Sequence, residues 1–142
     1  MLVQCTRKLL DELKLEPEAP VGEAPLFSWH ANLVKLNRRK SVVLTNDQNR
    51  YIIVLYGLKA KDLGNFTELV INAIRETFCY EQISESVIDQ YLGTSPGIRY
   101  SKTKNPSMTA RLRTACDTVQ FYVDRVVEGP IIQAAVGAST PG

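Results

Sequence analysis

WHANLVKLNRRKSVVLTNDQNRYIIVLY, residues 29 to 56, contains three apolar runs: Trp29 to Leu36, Ser41 to Thr45 and Tyr51 to Tyr56. All three are rich in the β-branched and aromatic side chains that suit a pleated surface. The polar segments between them, Asn37-Arg38-Arg39-Lys40 and Asn46-Asp47-Gln48-Asn49, carry Asn and Asp, which tolerate tight turns. This punctuation predicts a three-strand antiparallel meander over about 29–56.

Working outward, MLVQC at the N-terminus reads as a further strand, and Thr6 can cap a helix over Arg7 to Leu13. Lys14 to Pro25, with three prolines and no apolar periodicity, reads as a surface connection. Asn65-Phe66-Thr67-Glu68 has the form of a capping box before an apolar stripe at helical spacing, which predicts a helix at about 66–81. A second, at 85–92, is opened by Ser84 and stopped by Gly93. Ile98 to Thr103 alternates as an edge strand would. Asn105-Pro106 supplies an N-cap and a first-turn proline for a long helix at about 106–127, ended by Gly129-Pro130. The expected fold is α+β: a largely antiparallel sheet built on the meander, with these helices packed against it. Residues 1–129 form the expected single domain, and 130–142 a loosely docked or disordered tail.

With 142 residues, 44% of them hydrophobic, the chain is sized for one ordinary core. No apolar run is long enough to cross a membrane, and the charges within MLVQCTRKLLDEL spoil a signal peptide, so a cytoplasmic protein with no membrane partner is expected. Cys5, Cys79 and Cys116 are odd in number and widely spaced, so buried free thiols are expected, with no disulfide framework or zinc site.

The net charge of +2 conceals an uneven distribution. Residues 26–58 carry Lys35, Arg38, Arg39, Lys40 and Arg50 against Asp47, and residues 93–113 carry Arg99, Lys102, Lys104, Arg111 and Arg113 against no acid. If the two stretches meet, they make a basic face that attracts phosphate. Solvated turns and edges explain the same residues equally well. The helix start at Asn105 adds a reason to prefer an anion: Lys102 and Lys104 precede it, Thr103 and Ser107 offer hydroxyls, and no carboxylate meets the positive end of its dipole. The candidate anion or nucleic-acid site is therefore Arg38, Arg39, Lys40, Lys102, Thr103, Lys104, Asn105 and Ser107.

Catalytic signals are weaker. His30 is the one histidine and so the one weak catalytic candidate. In a strand it faces away from Trp29, which leaves it exposed or under a second layer if Trp29 is core. The aspartates do not pair at metal-binding spacing and the glycines form no phosphate loop, so neither metal nor cofactor is expected.

Several short motifs also stand out: WHANL at 29–33, RRK at 38–40, VLTN at 43–46, ETF ending at Phe78, VIDQYL at 87–92 and KTKNPS at 102–107. In combination they resemble a bacterial family of unknown function, itself similar to the C-terminal part of plasmid ORF-3-like, transposon passenger-type proteins. The resemblance runs from Met1 to about Val126. It implies a single α+β domain and a mobile-element context, with no activity attached. Pro106 stands where that pattern usually has arginine, so no phosphate role carries over to that position. Three functions are compatible with these readings. The first is a small accessory protein, of a mobile element or defence locus, whose basic face engages nucleic acid or another anionic partner. The second is a protein–protein module, such as a homodimer, built on Ile131 to Val136 or a sheet edge. The third is an enzyme on a phosphate-bearing substrate using His30, Asn32 and Asn46.

Overall fold

The computed structural model describes residues 1–19, 22–94 and 97–139. In chain order the elements are β1 (Leu2–Cys5), α1 (Arg7–Leu13), a 3-10 turn (Pro25–Phe27), β2 (Ser28–Leu36), β3 (Arg39–Asn46) and β4 (Ile52–Leu55). There follow α2 (Ala60–Leu63), α3 (Phe66–Tyr80), α4 (Glu85–Thr94), β5 (Arg99–Lys102), α5 (Pro106–Phe121), a second 3-10 turn (Val123–Arg125) and α6 (Ala134–Ser139). The strands form one five-stranded sheet in the order β4-β3-β2-β1-β5.

The expectation of a largely antiparallel sheet built on a meander is overturned. β2, β3 and β4 pair antiparallel in succession, but β1 pairs parallel with both β2 and β5, so two of the four pairings are parallel. The reason lies in the connections: α1 with its long loop, and later α2 to α4, carry the chain across the length of the sheet, so that the next strand starts at the same end as the one before. Parallel neighbours require crossovers of this kind, whereas a hairpin reverses direction.

Period-two alternation divides the side chains between two layers. Val3, Cys5, Trp29, Ala31, Leu33, Val42, Leu44, Ile53 and Leu55 point to one face, where Leu9, Leu10, Phe66, Val70, Ile74, Phe78 and Ile88 of α1, α3 and α4 close the larger core. Trp29 is fully buried there, and its indole N–H donates to Tyr91 Oη at 3.1 Å. Leu36, Val43, Ile52, Val54 and Tyr56 belong to the opposite face, under Leu112, Ala115, Cys116 and Val119 of α5 and Val136 of α6.

Local chemistry explains most boundaries and corrects some. Thr6 caps α1 by accepting from the Leu9 N–H. The β2–β3 turn places Asn37 and Arg38 at φ 47° and 66°, the pair of positive angles that lets a two-residue turn follow the sheet twist. Asn65 makes no cap bond: α2 ends at Leu63, with Gly64 as its C-cap, and the Asn65 N–H donates to the Asp62 carbonyl. α5 stops at Phe121, short of the expected 127. Cys79 is exposed, contrary to expectation, because its helix turns it away from the sheet.

The segment read as a loose tail is docked as far as it is described. Ile132 forms an antiparallel bridge with Leu55, and Gln133 is buried, giving its side-chain amide to the Val127 and Pro130 carbonyls at 2.8 and 2.7 Å and accepting from the Val127 N–H at 2.9 Å. α6 then approaches β4 so closely that a Cβ on Gly137 would stand 2.3 Å from the Ile52 carbonyl oxygen. Residues 140–142 of that expected tail lie outside the described residues.

Candidate anion-binding site

α5 lies along the second face of the sheet. Near its end Gln120 donates to the Lys35 carbonyl at 2.7 Å, and near its start Arg111 Nη1 donates to the Asp47 carbonyl at 3.1 Å. The helix therefore runs from the β3–β4 turn to the β2–β3 turn, and its 16 residues span about 24 Å.

That distance separates the sequence-predicted site residues. Arg38, Arg39 and Lys40 sit at the far end of α5, where Arg39 pairs with Glu128 at 3.4 Å and Lys40 with Glu12 at 3.0 Å. Lys102, Thr103 and Lys104 lie on the segment that leads into the near end; Lys102 and Lys104 are exposed, and the Thr103 N–H donates to Cys5. The 38–40 turn and the 102–104 segment do not converge, although each basic stretch sends one arginine, Arg50 and Arg111, to a common cavity. At the helix start itself, Asn105 Oδ1 accepts from the Ser107 and Met108 N–H groups at 2.9 and 3.2 Å. This cap is neutral and the first turn holds no acid, so the dipole's positive end keeps its field without a carboxylate to quench it.

Beside this half of α5 is an open cavity of about 460 Å³. Thr45, Arg50 and Ile52 line it from the β3–β4 side, and Ser107, Ala110, Arg111, Thr114, Ala115 and Thr118 from the helix. No carboxylate is among them. The Thr114 and Thr118 hydroxyls donate back to Ala110 and Thr114 carbonyls. The Arg50 guanidinium and the Thr45 and Ser107 hydroxyls have no hydrogen-bond partner among the described residues, although Thr45 is only 6% exposed. Arg111 turns Nη1 to the Asp47 carbonyl and to Met108 Sδ, both at 3.1 Å, and keeps its Nε and Nη2 N–H groups. The uncommitted groups thus comprise two guanidinium donors and two hydroxyls, an arrangement that favours an anion. A second cavity of about 280 Å³ on the other flank of α5 includes Asp117 and the Asn32–Thr6 hydrogen bond and has no comparable excess of donors.

His30 lies behind this wall, 1% exposed, on the strand position paired with Thr45. Its Nδ1–H donates to Asp47 Oδ1 at 2.7 Å, and Gln4 Nε2 donates to Asp47 Oδ2 at 3.2 Å. His30 Nε2 is buried without a partner among the described residues. His30 lines neither cavity. Asn46, the third member of the enzymatic scheme, spends its side chain on the turn: Oδ1 accepts from Gln48 and Asn49, and Nδ2 donates to Leu26. Asn32 opens onto the second cavity. The enzymatic constellation is thus dispersed. Burial pushes the Cys116 thiol beside Asn32 up to about 11, which keeps it a protonated, unreactive thiol.

Of the nine residues around the larger cavity, the predicted site includes Ser107 alone, while Arg50 and Arg111 figure in the sequence only as members of the two basic stretches. A usable signal existed: Ser107, Arg111, Thr114 and Thr118 recur at helical spacing beside the apolar stripe Leu112, Ala115 and Val119. Its partners Thr45 and Arg50 carry no such signal, because only the path of α5 brings them alongside. Among the described residues, no group of His, Cys, Asp or Glu is arranged to hold a metal, and no helix is long and apolar enough to cross a membrane. A family model described as a domain of unknown function (DUF6933) matches residues 2–140. No curated protein and no solved structure matches the chain.

Proposed function

We propose, from the premise that the chain belongs to the DUF6933 family of unknown function, that it is a small binding protein for a phosphate-bearing anionic partner, engaged at the N-terminal half of α5. The observation that supports this is the cavity in which Arg50, Arg111, Ser107 and Thr45 gather without a carboxylate. Lys102 and Lys104, on the exposed approach to the same helix, extend the positive field outward. The proposal relocates the basic face from the β2–β3 turn, whose Arg39 and Lys40 are already paired with acids, to the other end of the helix. A cytoplasmic, mobile-element setting with nucleic acid as the phosphate source is the wider form of the proposal, and it rests on the motif resemblance.

Anisotropy titration of a labelled mixed oligonucleotide, with calorimetric titration of pyrophosphate, at low and moderate salt tests the reading. Binding should weaken steeply with salt, because phosphate contacts release counterions. It should fall about tenfold or more in Arg111→Gln, roughly the loss of one charge-assisted hydrogen bond. Lys102→Ala with Lys104→Ala should lose less, and Arg38→Ala with Arg39→Ala nothing. Anion binding indifferent to Arg111, or no binding of either probe, defeats it.

A further inference from the structure

Resting on the reading just given, we propose that the ligand of this cavity is a small, non-aromatic phosphomonoester of sugar-phosphate size, its phosphate between Arg50 and Arg111 and its body against Ile52 and Ala115. Charge comes first. A phosphomonoester carries about −1.5 to −2 charges at neutral pH, which matches two guanidinium groups, whereas a single carboxylate leaves one of them uncompensated. The hydroxyls come next: Thr45 is nine-tenths buried, lines the cavity and holds its hydroxyl unpartnered among the described residues, and Ser107 stands on the same rim at the start of α5. Together with the two arginines they supply enough donors for a tetrahedral group with several acceptor oxygens.

Size and lining narrow the ligand further. A volume of about 460 Å³ sits toward the small end of the range for organic ligand sites, roughly 300–1,000 Å³. No aromatic side chain lines it, so a nucleobase has nothing to stack on, and single-strand binding grooves depend on such platforms along a continuous basic track. The cations here gather at one concavity instead. Ile52 and Ala115 offer a short apolar wall, and the Thr114 and Thr118 hydroxyls can still accept hydrogen bonds from a polyol.

Calorimetric titration of the full chain with ribose 5-phosphate, ribose, inorganic phosphate and a single-stranded oligonucleotide is the test. Ribose 5-phosphate should bind at least tenfold more tightly than inorganic phosphate, ribose should not bind, and affinity should fall from pH 7.5 to 5.5 as the phosphate takes up its second proton near pH 6. Arg50→Gly should cost tenfold or more without harming the fold, because Arg50 sits at φ 61°, a conformation glycine adopts freely. Ala110→Phe, at an exposed position on the cavity rim, should abolish binding by occupying the space. If the oligonucleotide binds, ribose 5-phosphate does not and Ala110→Phe changes nothing, the phosphomonoester is refuted while anion binding stands. If no anion binds, both readings fall together.

Discussion

Asp47 joins the sheet end to the cavity wall. Its carboxylate receives His30 and Gln4, its carbonyl receives Arg111, and its N–H donates to the Ser28 carbonyl at 2.9 Å. Asp47→Ala strands the buried His30 Nδ1 and leaves the Gln4 amide only its longer bond to the Trp29 carbonyl, and should cost about 1–3 kcal/mol in urea unfolding. In a double-mutant cycle, Asp47→Ala and His30→Ala should couple by more than about 0.5 kcal/mol, since each removes the other's partner. The thiols give a second residue-scale outcome. Burial pushes Cys5 up to about 12 and Cys116 to about 11, while Cys79 is exposed. A thiol reagent at pH 8 should modify Cys79 in the native protein and reach the other two only on unfolding. Because both folded-state values are raised, the associated stability is complete below pH 9 and is lost as pH climbs through about 11 and 12. Unfolding midpoints measured across that alkaline range should fall accordingly.

At the scale of elements, α6 is held by contact that tolerates no extra atom. Gly137→Ala drives a methyl group into the Ile52 backbone carbonyl, which cannot swing aside as a side chain would. A loss of about 1–3 kcal/mol in denaturant unfolding is expected. By comparison, Asn105→Ala removes the α5 cap and should cost about 1 kcal/mol. The two cases also divide what was legible in the sequence from what was not. The Asn105 cap was readable because Asn-Pro before a periodic stripe is a local signal. α6 was not: AAVGAS is short and small, and it is helical because it packs on β4. The Asn65 reading failed in the opposite way, a local motif overridden when the residues before it folded into α2.

At the scale of the whole molecule, two of the sheet's pairings follow from short turns and two from long excursions. Turn residues announce a hairpin, but nothing within MLVQC or IRYSKT states that these strands lie side by side and point the same way. Sheet order was therefore hidden, and with it both the separation of Arg38–Lys40 from Lys102–Lys104 and the meeting of Arg50 with Arg111, although the individual charges were plain. The same distinction sets an expectation for kinetics. Val43 lies in the β2–β3 hairpin, whose partners are near in sequence, whereas Val3 pairs with Trp29 and, far along the chain, with Tyr100. Val43→Ala should slow refolding, while Val3→Ala should chiefly hasten unfolding, as read from the two arms of a chevron plot. β1, first in chain order within this sheet, must then wait for almost a hundred residues before its second neighbour exists. During translation it is an apolar ribbon with one open flank, a natural foothold for a chaperone and the place where an interrupted chain would begin to aggregate.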